Sequence, residues 1–153
     1  MMEWNEMKKE KHPSDSSEQQ QAHEVILSLI NKKYNLNLVS KKLLLGEVLF
    51  QVDGYSENPP IFCEIYSRVG EMKVAHYNKI SKDILKMLLI EKLTGKQFRK
   101  IIAFADEETA SPFLRGESWY SKVSDNFDID IIIIDIPTDL KETLIAAQRR
   151  QYR

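Results

Sequence analysis

Two acidic residues followed by a lysine-rich stretch carry the chemistry available to this sequence. Asp53 stands before Gly54 in VLFQVDGY, and Glu64 stands inside IFCEIY. In the first segment Val48, Phe50 and Val52 alternate with Leu49, Gln51 and Asp53, the period of a strand that Asp53 closes. In the second, Phe62, Glu64, Tyr66 and Arg68 alternate with Ile61, Cys63, Ile65, Ser67 and Val69. A hairpin through Asn58, Pro59 and Pro60 would set the strands side by side and bring the two carboxylates within reach of each other. Neighbouring carboxylates repel, so such a pair needs a cation, a shared proton or water. Two acids around a divalent cation, with an ammonium nearby, are the ingredients of metal-assisted phosphodiester hydrolysis.

The elements that must position these groups are legible from periodicity. Val25, Ile26, Leu29 and Ile30 predict an amphipathic helix over residues 20–33, with Glu24 at the edge of its apolar stripe. Lys41 to Leu45 is a short apolar run of either type. Ile80, Ile84, Leu85, Met87, Leu88 and Leu89 predict a helix from about Asn78 to Thr94, capped by Asn78 or Ser81 and ended by Gly95. On that helix His76, Lys79, Asp83 and Lys86 fall within roughly a 90° sector. KIIAFA (100–105) reads as an interior strand followed by an acidic loop at Asp106, Glu107 and Glu108. Ser118 can cap a short helix to about Phe127, with Trp119 as a core anchor. IDIIIIDI (129–136) reads as a strand closed by Pro137, and Thr138 and Asp139 can cap a last helix that ends in arginines. The order predicts an α/β chain with three α/β/α layers and a mixed central sheet. Residues 1–20, polar and aperiodic, read as a mobile tail, with Trp4 and Met7 part of a frayed end rather than a docking handle, and 21–153 as one domain.

Bulk properties narrow the classes. The 153 residues are 42% hydrophobic and 29% charged, which suits a globular chain. The net charge of −1 gives no global attraction to nucleic acid or anionic membranes. Locally the balance is uneven, with nine Lys/Arg against three Asp/Glu between Arg68 and Lys100, and two against nine between Ile101 and Asp139. This builds either a basic face or two elements that pair with each other. A single cysteine, Cys63, excludes an intramolecular disulfide and argues against a cysteine zinc site. The hydrophilic N-terminus and the lack of a long apolar run lead us to expect a cytoplasmic protein without membrane association. No P-loop, dinucleotide fingerprint or nucleophile motif is visible.

Val52-Asp53-Gly54-Tyr55, then Glu64-Ile65-Tyr66, then Lys79 and Asp83 on the next helix, resemble the PD-(D/E)xK nuclease superfamily, the restriction-endonuclease-like fold. The resemblance spans about residues 20 to 136. It implies Asp53 and Glu64 as ligands of Mg²⁺ or Mn²⁺, with Glu24 as a further acid on the first helix. Tyr66 replaces the family's lysine, two residues after the glutamate, and a phenol supplies no positive charge. Lys79 and Lys73 are the substitutes the resemblance suggests, with Lys79, Lys82 and Lys86 tracking the phosphates of nucleic acid, DNA in preference to RNA. A homodimer or a partner protein fits the same family.

Other readings of these residues stay open. An Asp before Gly is also a turn residue bonding its own backbone. Arg68 can pair with Glu64, and Lys79, Asp83 and Lys86 can form an exposed network worth tenths of a kcal/mol. With Tyr66 in the lysine position, the chain equally suits a non-catalytic nuclease-fold subunit. A protein-interaction module unrelated to nucleases is the remaining alternative.

Overall fold

The computed structural model describes residues 17–151; the reading of Trp4 and Met7 lies outside them. Ten elements follow in order: α1 (Ser17–Tyr34), β1 (Val39–Leu45), β2 (Val48–Ser56), β3 (Ile61–Tyr66), α2 (Val74–Thr94), β4 (Arg99–Phe104), α3 (Glu107–Leu114), α4 (Trp119–Asn126), β5 (Ile129–Ile133) and α5 (Thr138–Gln151). The strands form one sheet in the order β1-β2-β3-β4-β5. β1, β2 and β3 are antiparallel neighbours, whereas β3, β4 and β5 run parallel, so the sheet is mixed.

Alternation along β3 and β4 divides the core between two faces. Ile61, Cys63 and Ile65 of β3, with Ile101 and Ala103 of β4, pack under Ile26 and Ile30 of α1 and Leu144 of α5. Tyr66, Ile102 and Phe104 pack on the other face under Ile80, Ile84 and Met87 of α2 and Phe113 of α3. A third cluster joins Phe50, Val52 and Phe62 to Ile90 and Phe98. Helices thus cover both faces of the sheet, an arrangement compatible with three α/β/α layers.

Several boundaries differ from the expectation for physical reasons. α1 begins at Ser17, inside the expected tail, where Glu18 pairs with Arg150 of α5. Lys41–Leu45 lies within an edge strand. α2 begins at Val74, four residues before Asn78, because the His76 side chain supplies the cap: Nδ1 accepts the Lys73 N–H at 2.9 Å. Its other end is as expected, with Gly95 left-handed (φ 68°) and its N–H on the Glu91 carbonyl. The acidic loop is instead the start of α3, with Asp106 as N-cap. Pro112 lies inside α3, and the Ser111 hydroxyl donates to the Glu108 carbonyl at 2.8 Å, the acceptor that proline's missing N–H would have used. Ser118 caps α4 as expected, but Trp119 is 61% exposed and stacks on Tyr120 rather than anchoring the core. β5 stops at Ile133 and is an edge strand, so Ile131, Ile132 and Ile133 are only partly buried, while Ile129 is buried.

One polar junction locks α2 to the sheet. Glu91 accepts the Phe98 N–H at 2.9 Å and pairs with Lys100 at 2.9 Å, and Lys100 is buried. Glu91→Ala would strand a buried ammonium and an amide, so we expect urea denaturation to show a loss of roughly 3–5 kcal/mol. A loss no larger than a surface substitution gives would show that Lys100 escapes to solvent.

Candidate functional site

The site forms where β2 and β3 part. Their ladder runs from Ser56 opposite Ile61 to Gly54 opposite Cys63 and goes no further. On its other side β2 shifts register by one residue against β1, between Val39 opposite Tyr55 and Lys41 opposite Val52. Asp53 and Gly54 therefore stand against Ser40 alone, a bulge that breaks the strict alternation expected along β2 and re-aims the Asp53 side chain. Asp53 Oδ2 accepts the Ile65 N–H at 2.9 Å, taking over where the ladder stops. The strand continues past Asp53 to Ser56, so this aspartate is no turn residue. Gly54 is needed for close approach: a Cβ there would lie 2.9 Å from Leu27 of α1 and 3.2 Å from the Cys63 Cβ.

Glu64 lies on β3, whose six residues are all buried. Its partner is Lys86, not Arg68: the ammonium stands 2.6 Å from Glu64 Oε1, 3.3 Å from Asp83, and donates to the Gln51 carbonyl at 2.8 Å. Its approach to Oε1 is off the hydrogen-bonding direction, so that oxygen has an ionic neighbour but no hydrogen bond. Tyr66 donates its phenol proton to Asp83 in a short bond. Arg68 turns away, its Nε donating to the Glu71 carbonyl at 2.9 Å.

Glu64 and Asp83 thus share the Lys86 ammonium, and Asp53 adds a third carboxyl beside Glu64. Burial, then the Asp53 carboxylate and a hydrogen bond with it, push Glu64 up to about 9; Asp83 adds to this and Lys86 offsets only part. Burial and the Asp83 carboxylate raise the Tyr66 phenol, which stays protonated. Burial works against the Lys86 charge, but Glu64 and Asp83 more than offset it and hold its pKa above the ordinary lysine value. Burial likewise raises Cys63, which is an inert core group.

A cleft of about 690 Å³ opens beside these groups, with Asp53, Ile65, Tyr66 and Arg68 on its sheet side. Glu24, exposed on α1, and Lys79, over the Tyr66 ring at 5.9 Å, also line it. Lys73 sits at the α2 cap, and Lys82 is exposed on α2. The structure therefore brings Lys86 to Glu64, rather than Lys79 or Lys73. Sequence reasoning missed His23, whose Nδ1 is 4.0 Å from Asp53 Oδ1. Its only signal is its place one helical turn before Leu27, which packs over Gly54.

Among the described residues no group of three or more His, Cys, Asp or Glu side chains is arranged to hold a metal. Asp53 and Glu64 are the carboxyls that could hold Mg²⁺ or Mn²⁺, since Mg²⁺ commonly takes one or two carboxylates and completes its shell with water and phosphate. No helix among the described residues is long and apolar enough to cross a membrane. No protein-family model, curated protein or solved structure matches the chain.

Folded Glu64 holds its proton up to about pH 9, whereas an unfolded glutamate releases it near 4.5. The folded state then binds more protons across that window, so this group's contribution to stability falls as pH rises through it. Glu64→Gln should remove this slope and become progressively more stable than wild type towards pH 9. Urea midpoints of both proteins across the window test it, and parallel curves would rule out the raised pKa.

Proposed function

We propose that this chain is a metal-dependent phosphodiester hydrolase on the PD-(D/E)xK plan, restriction-endonuclease-like, acting on nucleic acid and on DNA in preference to RNA. The observation that carries it is the ammonium of Lys86 at 2.6 Å from Glu64, with Asp53 on the adjoining strand. The motif lysine is then supplied from α2, in place of Tyr66. The helix–strand–strand–strand–helix–strand order and the mixed sheet support the reading.

Asp53 and Glu64 would hold Mg²⁺ or Mn²⁺, which when bound polarises a phosphoryl oxygen and acidifies water. Asp53 is fixed by the Ile65 amide, so its second oxygen is presented in a set direction. Lys86, beside Glu64, would offset the negative charge that the phosphorane gathers. Asp83 and Tyr66 are positioning residues: the phenol orients Asp83, and Asp83 holds Lys86. A second reading, a non-catalytic nuclease-fold subunit, draws on the same pair, because Lys86 itself neutralises part of the acid cluster.

Calorimetry with Mn²⁺, on wild type, Asp53→Ala and Glu64→Ala, and cleavage of plasmid DNA and RNA by the same samples, separate the two. Binding lost in both variants with cleavage by wild type is the expected result. Lys86→Ala should keep Mn²⁺ binding and lose cleavage about 10²–10³-fold. Binding without cleavage supports the subunit reading, and no binding at all removes the nuclease reading.

A further inference from the structure

The cleft holds a second group of side chains away from the acid cluster. Arg68 at the exit of β3, and His76 and Lys79 on the first turns of α2, all line it. His76 is in a defined tautomer. Its Nδ1 accepts the Lys73 amide, so in the neutral ring the proton is on Nε2. Burial, then the positive charges of Arg68, Lys73 and Lys79, depress its pKa and keep that ring neutral. His76 Nε2 stands 3.5 Å from Arg68 Nη1. Both are donors, so this contact is not a hydrogen bond, and one anionic oxygen set against them satisfies both.

Arg68 is also unusually well fixed for a loop residue. Its Nε is spent on the Glu71 carbonyl. Val69 exchanges two hydrogen bonds with the Gln148 side chain of α5, at 2.9 and 3.0 Å. From the other side the Thr109 hydroxyl donates to the Gly70 carbonyl at 2.5 Å, with the Arg68 carbonyl a longer second acceptor at 3.1 Å, and Asp106 accepts the Gly70 N–H at 2.8 Å. A guanidinium held this way meets an anion with little ordering left to do.

We infer that Arg68, His76 Nε2–H and Lys79 form a phosphate subsite that takes the terminal phosphate of a nucleic-acid strand, with the acid pair facing the bond to be cut. The strand rests on the nuclease reading; the phosphate does not. Two cations and a neutral N–H match the two charges of a phosphomonoester better than the single charge of an internal diester.

The test follows the His76 ring by NMR through a pH titration, with and without inorganic phosphate and with no metal. Phosphate should raise the His76 midpoint in wild type and in Glu64→Gln, because a bound dianion favours the imidazolium. Arg68→Ala and the exposed Lys79→Ala should each weaken phosphate binding about tenfold, with Arg68→Lys intermediate. A 5′- or 3′-phosphorylated oligonucleotide should then bind more tightly than its hydroxyl form. Equal binding of the two forms would overturn the terminal phosphate. No movement of the His76 midpoint, or movement lost in Glu64→Gln and kept in Arg68→Ala, would overturn the subsite. Cleavage of DNA alongside either result would leave the nuclease reading intact.

Discussion

Glu64 occupies the middle strand of the sheet with only 4% of its surface exposed, and a carboxyl there must be neutralised or paired. The surroundings make this harder, since Asp53 and Asp83 raise its pKa as well. Lys86 is the one cation among the groups acting on it, and that ammonium also serves Asp83 and a main-chain carbonyl. The acid cluster therefore retains a proton near neutral pH. A divalent cation in place of that proton would relieve the same excess of negative charge, so one constraint governs both the electrostatics of the core and any chemistry built on it.

The position of the cleft follows from the sheet. β3 pairs antiparallel with β2 and parallel with β4, so the polarity of the sheet changes at this strand. The chain leaves the carboxyl end of β3 through Ser67–Gly70 to reach α2, and open α/β sheets bind ligands at such ends. The segment is held from both faces, by Gln148 of α5 and by Thr109 and Asp106 at α3. Helices from both layers thus set the direction of Arg68, and a surface residue acquires the definition of a core one.

Tyr66 and Lys86 are joined through Asp83. A phenol two residues after Glu64 points to α2 and donates a hydrogen bond to Asp83. One turn further, i to i+3, Lys86 leans on Asp83 and reaches Glu64. The face shared by Asp83 and Lys86, visible as helical spacing, becomes a relay only because Ile84 and Met87, next to them in sequence, pin α2 onto the sheet.

The sequence by itself determined the alternation of β3, the apolar side of α2, its end at Gly95 and the cap at Ser118, because these depend on neighbours within one or two turns. It also singled out Asp53 and Glu64, since charged side chains between apolar strand positions are costly wherever the strand lies. Only the tertiary structure decided which lysine reaches them. Lys73, Lys79, Lys82 and Lys86 are alike in type, and the choice depends on the depth at which α2 crosses β2 and β3. The bulge at Asp53–Gly54 was equally out of reach, being a mismatch in count between β2 and β1 that neither strand carries alone. His23 and Gln148 entered the site for the same reason: they come from helices distant in the chain, brought there by packing on one face of the sheet.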